Sequence, residues 1–408
     1  MGERTGRRLI IYGMNYAPEM IGVGKYTGEL AEYLCGQGVG VEVVTAQPHY
    51  PGWRILPGAK NSWSSGLENG VRVFRCPLLL AGKMEGVARF LAPLSFAITS
   101  SLIAIERVIA ARQGVILCVE PTLLVAPLAL LLGKLKGWRC ILHVQDLEID
   151  AAFAVGHLRR GGLAARLSAV FESWCLASFD SVVTISETMA EALAGKGVAR
   201  SKLHVLRNWV DLEAINPSIQ GDALRSELGI GPDRFVALYS GNLGRKQGIQ
   251  TLIEAARLVS EPEILIVIAG DGPEAPSVQR AALESENVMI VPLQPAERFA
   301  EFVRMADLHL LPQTREVADL VLPSKLGAML ASGRPVLLSA DRDTELFNFV
   351  SSCVTVAPPD DAAAFAEAIM NAHAELESET AVAARLELAS ELSRTKLLPI
   401  FRDIILDG

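Results

Sequence analysis

Four segments of this chain carry residues suited to holding a phosphate-bearing ligand, and a fifth carries an acid–base cluster. Ser240-Gly241-Asn242-Leu243-Gly244-Arg245-Lys246-Gln247-Gly248 combines glycines with two cations ahead of a helical pattern. Glycine lets backbone N–H groups approach a ligand, and a helix start adds partial positive charge, so the segment reads as a diphosphate cradle; a solvated basic turn competes with that reading. Ala269-Gly270-Asp271-Gly272-Pro273-Glu274 follows an apolar run and serves equally for close approach to a nucleotide or for a plain turn. In the stretch from Asp319 to Val336, Ser324 is expected to cap a helix. Lys325 in that helix's first turn opposes the dipole, which points to an anionic ligand unless the lysine is simply exposed. Tyr16-Ala-Pro-Glu-Met-Ile-Gly22-Val23-Gly24-Lys25 opens another helix without matching the GxGxxG fingerprint, and suits a structural turn as well as a binding loop. The fifth segment, His143-Val-Gln145-Asp146-Leu-Glu148-Ile-Asp150, clusters an imidazole with carboxylates. A lone histidine there is as often a packed core residue, and no second His or Cys ligand for a metal lies near it.

These segments need a scaffold that sets each at the end of a strand. Short runs of Val, Ile and Leu without polar alternation recur at 9–13, 41–45, 71–75, 114–120, 139–145, 181–185 and 203–207. They recur again at 235–239, 264–269, 288–291, 308–311, 335–339 and 354–357. Such runs mark strands covered on both faces, as in parallel α/β sheets. Helical patterns lie between them at 25–35, 163–176, 187–193, 249–259, 297–306, 324–331 and 362–376. The rhythm restarts after Asn208, and the polar segment 208–217 ends in Pro217, so two doubly wound domains joined by a hinge are expected. The expected division is 1–207, hinge 208–217, 218–380, and a helical segment 381–408. Open sheets of this kind bind ligands beyond the carboxyl ends of their strands, where the His143 segment falls, and the segments at Tyr16, Ser240 and Ala269 also follow strands.

The chain has 408 residues, enough for two cores of about 200 residues each. Half of it is hydrophobic and 21% is charged, which is a globular composition. The net charge of −8 excludes a global basic footprint for nucleic acid. Six scattered cysteines, none in a CxxC, read as buried reduced thiols of a cytoplasmic protein. The apolar run after the N-terminal basic residues is too short for a signal-peptide core. Of two longer apolar stretches, 123–132 reads as a buried helix. The other, 90–105, reads as a helix at a protein or membrane surface rather than a span. Basic residues Lys83, Arg89, Arg107 and Arg112 flank it and would suit an anionic membrane surface; a helix packed on the domain explains it as well.

As an ordered set, NYAPEMIGVGKYTGELAEYL, HVQDLEIDA, TISETMAEAL, NWVD, YSGNLGRKQGIQTLIEAA, IAGDGPE and DLVLPSKLGAMLASGRPV resemble glycosyltransferase family 4 across nearly the whole chain. The resemblance is strongest to its colanic-acid type of bacterial exopolysaccharide glycosyltransferase. It implies the GT-B fold, in which two Rossmann-like doubly wound domains face each other across a cleft. It also implies a nucleotide-sugar donor on the second domain, an acceptor on the first, and no metal or other cofactor. Asn242, Arg245, Lys246, Gln247 and Lys325 would surround the diphosphate, with Gly241 and Ser324 beside them. Gly270, Asp271, Gly272 and Leu293 would lie near the nucleoside, with Asp319 and Asn208 also in the binding region. His143 would face the sugar and Asp146 would support its loop. Gly22, Val23 and Gly24, with Tyr16, would close over the donor. The family's usual Arg and Lys match Asn242 and Gln247 here, and its second Glu matches Ala328, which puts the phosphate and ribose contacts in question.

The implied reaction is retention by front-face attack, with catalysis resting on positioning and on charge stabilisation of the leaving diphosphate. The segment 83–112, apolar and flanked by cations, points to a lipid-linked (polyprenyl-linked) saccharide as acceptor, and the resemblance tilts the donor toward a GDP-sugar such as GDP-fucose, with a UDP-sugar as the other option. A cytoplasmic enzyme, peripheral on the inner face of the membrane, fits both. Two rival readings stay open: an epimerase of the same architecture, and a catalytically silent paralogue that binds a partner.

Overall fold

The computed structural model describes residues 8–19, 22–50, 52–80, 88–146, 162–315, 323–375 and 378–407. The chain divides into two compact units: Met1–Arg207 with Leu398–Gly408, and Asn208–Leu397.

In the first unit, β1 (Arg8–Tyr12), α1 (Val23–Gly36), β2 (Gly40–Ala46), β3 (Ser64–Glu68) and β4 (Val71–Cys76) precede α2 (Ala88–Ala110). They are followed by β5 (Gly114–Glu120), α3 (Ala126–Lys136), β6 (Arg139–Val144), α4 (Leu163–Ser178), β7 (Ser181–Thr184), α5 (Glu187–Gly195) and β8 (Leu203–Val205). The sheet order is β3-β4-β2-β1-β5-β6-β7-β8, with only the β3–β4 pair antiparallel. Chain order reverses between β1 and β5, so the loops after these strands meet at the switch point where such sheets place ligands. Close packing there is built in: a Cβ on Gly13, just past β1, would come within 2.9 Å of Val119 on β5.

The second unit comprises α6 (Asp222–Glu227), β9 (Phe235–Ser240), α7 (Ile249–Leu258), β10 (Ile264–Ala269), α8 (Ala275–Glu284), β11 (Val288–Val291), α9 (Phe299–Arg304) and β12 (Leu308–Leu311). It continues with α10 (Leu326–Ala331), β13 (Val336–Ser339), α11 (Glu345–Val350), β14 (Thr355–Ala357), α12 (Ala362–Ala374) and α13 (Glu379–Glu391). The last helix, α14 (Arg394–Leu406), begins in this unit and ends in the first. The sheet is parallel throughout in the order β11-β10-β9-β12-β13-β14, with its switch point between β9 and β12.

The unbroken apolar runs have a direct cause. In β10, Ile264, Ile266 and Ile268 enter one core cluster with α7, α8 and α12. Leu265, Val267 and Ala269 enter another on the opposite face. Side chains alternate along a strand, so a sheet covered on both faces needs hydrophobes at every position. Helix starts are fixed by side-chain caps: Ser186, Thr344, Asp361 and Ser378 each accept a backbone N–H of the helix that follows.

Two expectations are corrected. The helix after Pro323 begins at Leu326 with Lys325 in the cap position, not at Ser324. The Leu326 amide bonds back to the Pro323 carbonyl, so a turn takes up the two intervening residues. The 123–132 stretch forms a 3-10 turn and then α3, which is not buried all round, because Leu131 and Leu135 face solvent.

Candidate active-site loops

In the second unit, three loops converge at the carboxyl edge of the sheet. The loop after β9 is laced to the loop after β10: the Gly241 amide donates to the Ala269 carbonyl, Leu243 to Asp271, and Glu274 to Leu243, each at 2.9 Å. On its other side it meets the segment after β12, where the Thr314 amide donates to the Lys246 carbonyl at 3.3 Å. A Cβ on Gly248 would press on Pro312 and Gln313 at 3.0 Å. Gly241, Asn242, Lys246, Gln247, Gly270, Asp271 and Gly272 are therefore brought together at the switch point.

The glycines in these loops have a packing reason. A Cβ on Gly270 would lie 2.0 Å from the Gly241 carbonyl oxygen, and one on Gly272 would lie 2.7 Å from the Leu243 carbonyl. Close approach is needed, but between loop and loop. Gly270→Ala is expected to cost about 2–3 kcal/mol of stability in urea unfolding, because backbone must move to admit the methyl group. Gly36→Ala, at the open end of α1, where a Cβ meets nothing within 4 Å, should be neutral or mildly stabilising. Equal stability of the two variants would refute this account.

Lys325 reaches into the cluster. Its Nζ would lie 3.0 Å from a Cβ on Gly241 and sits 4.2 Å from the Tyr239 ring centroid. That nitrogen is enclosed and has no hydrogen-bond partner among the described residues. Burial pulls its pKa down to about 7. The Tyr239 hydroxyl donates to the Asn242 carbonyl at 2.7 Å, so the ring beneath the ammonium also braces the loop. Leu293 is exposed on the segment after β11, and Asn208 is half-buried at the start of the unit. Ser324 is exposed one residue before Lys325, and Ala328 is half-buried in α10. Asp319 lies outside the described residues, as does the side chain of Arg245, whose backbone opens a 3-10 turn.

In the first unit, His143 is the next-to-last residue of β6 and is 1% exposed. Its ring stands edge-on to Phe401 of α14, with centroids 4.8 Å apart. Nε2 lies 3.3 Å from Gln145 Nε2, and Nδ1 is enclosed without a hydrogen-bond partner among the described residues. Burial lowers its pKa to about 3, so the imidazole is neutral. Asp146 is exposed just beyond, and Glu148 and Asp150 lie outside the described residues. Among the described residues no group of His, Cys, Asp and Glu is arranged to hold a metal.

The loop after β1 is held by Glu19, which residue-type reasoning passed over. This buried carboxylate accepts from the His49 and Tyr50 amides at 3.0 Å and from Asn15 Nδ2 at 2.9 Å. A carboxylate inside a Pro/Gly-rich segment is the signal that could have found it. Gly24 makes room for it, since a Cβ there would meet the Glu19 side chain at 2.7 Å. Gly22 caps α1 with φ of 66°, which favours glycine, and Val23 opens the helix half-buried. Tyr16 is buried beneath the loop, with the Arg75 guanidinium 5.8 Å from its ring. It serves as loop foundation in this arrangement.

Comparison with known proteins agrees with this architecture. Residues 22–209 match the family described as glycosyl transferase 4-like domain, and residues 234–375 match glycosyl transferases group 1. The chain is 37% identical over 348 residues to a protein of Escherichia coli K12 named as a colanic acid biosynthesis glycosyl transferase, WcaI, covering 83% of this chain and 84% of that one. Sucrose-phosphate synthase from Thermosynechococcus elongatus superposes with a TM-score of 0.73 at 18% identity, covering 98% of this chain and 100% of that one. Anabaena Alr3699/HepE, solved in complex with UDP, superposes with a TM-score of 0.68 at 14% identity and the same coverage. With a Rossmann-like sheet of mainly parallel strands in each unit, family matches in both halves and that level of identity, the chain is a glycosyltransferase of family 4 with the GT-B fold.

Proposed function

We propose that the chain transfers a sugar from a nucleoside-diphosphate donor to a lipid-linked saccharide in exopolysaccharide assembly, with retention at the anomeric carbon. The observation that carries the donor half is the Lys325 ammonium, enclosed against the glycine loops after β9 and β10 without a hydrogen-bond partner among the described residues. A diphosphate would supply the missing anion. Lys246, half-buried on the same loop, would add a second cation and offset the Asn242 and Gln247 replacements. The bond from the anomeric carbon to the diphosphate oxygen breaks as the acceptor oxygen bonds to that carbon from the same side. The acceptor's proton passes to the departing diphosphate oxygen. His143, being neutral, would hold a sugar hydroxyl rather than carry charge.

A GDP-sugar is the favoured donor, on the likeness to the colanic-acid branch; UDP in the HepE structures supports the uridine alternative. A polyprenyl-linked acceptor places the enzyme in the cytoplasm, peripheral on the membrane. Thermal-shift titration against GDP, UDP, ADP and dTDP, with and without magnesium, tests the donor. A nucleotide at 100 times its dissociation constant adds about 2.7 kcal/mol, or about 5–10 °C for a domain of this size. One nucleotide should stabilise selectively and without magnesium. No response to any of them would favour the silent, partner-binding reading.

A further inference from the structure

We infer that the outer face formed by α2, α3 and α4 of the first unit is a docking surface for an anionic lipid bilayer, on which the protein lies without crossing it. The inference deepens the reading of a lipid-linked acceptor and rests on it only for its biological purpose. Along α2, Leu91, Leu94, Ile98, Leu102 and Ile109 are all exposed, at spacings of three, four or seven that keep them on one side of a helix. α3, packed beside α2, exposes Leu131 and Leu135. α4, packed beside α3, exposes Leu167, Val170 and Trp174, again at helical spacing. Scattered exposed hydrophobes need no explanation, but three adjacent helices that each expose apolar residues at helical spacing do.

The charges on this layer select the occupant. Among the described side chains of the three helices, the carboxylates are Glu106, exposed and ion-paired with Arg107, and Glu172, buried and paired with Lys196. Lys134 on α3, Arg166 on α4 and Arg112 just beyond α2 are exposed cations. A second copy docking symmetrically would set these cations against their own equivalents, with no free carboxylate among the described side chains of the three helices to answer them. An anionic surface answers them, and lysine stems beside leucines with a tryptophan suit a bilayer interface. α2 alone among the described helices is long and apolar enough to cross a bilayer. Its other side, however, is committed to the core. Ala92, Phe96, Ala104 and Val108 are buried, and Ser100 Oγ meets the Tyr12 hydroxyl at 2.7 Å. Spanning would strip that packing from the sheet, whereas lying flat keeps it.

Sedimentation of the full chain with phosphatidylglycerol–phosphatidylethanolamine vesicles should show binding that pure phosphatidylcholine vesicles do not match. A Leu102→Glu/Leu135→Glu double variant should lose it by on the order of tenfold or more. Trp174 emission should shift to the blue on binding, a shift absent in Trp174→Phe. Retained nucleotide stabilisation in the double variant shows that it is folded and separates this surface from the donor site. Failure of the wild-type chain to sediment, equal sedimentation of the double variant, or a wild-type dimer dissolved by the same substitutions would each overturn the inference. Vesicle binding without any nucleotide response would instead count against the proposed reaction alone.

Discussion

Replacing Lys325 with methionine is expected to weaken nucleoside-diphosphate binding by on the order of tenfold to a hundredfold at pH 6, and to change it little at pH 9. The nitrogen is enclosed, touches the Tyr239 ring face and finds no hydrogen-bond partner among the described residues, and this burial brings its pKa to about 7. Below that value the site holds an ammonium whose natural complement is an anion. A charge-assisted contact in such a place is worth about 1.5–3 kcal/mol, the origin of the expected factor. Above it the lysine is neutral in the free protein and must take up a proton to bind diphosphate. Wild-type affinity should then fall by up to about tenfold per pH unit until it meets that of the methionine variant. Titration calorimetry in buffers of different ionisation enthalpy would register the proton uptake. Stability of the free protein moves the other way. The folded pKa lies below the ordinary lysine value of about 10.4, so between about pH 7 and 10.4 the unfolded chain holds a proton that the folded chain lacks. Stability therefore rises with pH across that window, and the cost of the buried charge is full below it. Lys325→Met should be more stable than wild type at pH 6 and lose that advantage toward pH 10. Flat affinity from pH 6 to 9 in the wild type would remove Lys325 from the phosphate site.

What the residue pattern disclosed, and what it hid, follows from where each signal originates. The Val/Ile/Leu runs of β5, β6, β9 and β10 were legible because a doubly covered strand writes its burial into consecutive residues. Ser64–Glu68 was not, since β3 is an edge strand of mostly exposed residues held by pairing with β4 and by Gln47 at Ser64. α8 escaped for a similar reason: only Val278 and Ala281 of its ten residues are buried, too narrow a stripe to show a period. At the candidate site, the glycines were visible but their cause was not. Gly270 and Gly272 read as room for a ligand, yet the atoms they make room for belong to Gly241 and Leu243, on a different strand's loop. The Tyr239 ring under Lys325 and the Phe401 ring against His143 come from sequence-distant or inward-facing positions that look like ordinary core. Fold was thus written locally, while the electrostatic character of the site arises from contacts that exist only once the chain is folded.

Removing the imidazole with His143→Ala is expected to lower kcat/KM for sugar transfer by on the order of a hundredfold, with the nucleotide-induced thermal shift and the shape of the pH profile unchanged. The histidine lies one residue from the end of a buried strand and stands edge-on to Phe401, and burial lowers its pKa to about 3. It is therefore neutral through the whole working range and cannot contribute a limb near pH 6.5. What it offers is a fixed hydrogen-bonding group whose Nδ1 lacks a partner among the described residues. A buried group left unsatisfied costs about 1–3 kcal/mol, which a sugar hydroxyl would relieve on binding. Alanine also leaves a cavity beside Phe401, so some lost activity could be lost packing. His143→Phe separates the two, because it fills the space and makes no hydrogen bond. Equal loss in the alanine and phenylalanine variants assigns the effect to the hydrogen bond and to substrate positioning. Full activity in His143→Phe would make the residue a piece of core, and a wild-type limb near pH 6.5 that vanishes in both variants would make it an acid–base catalyst despite its burial.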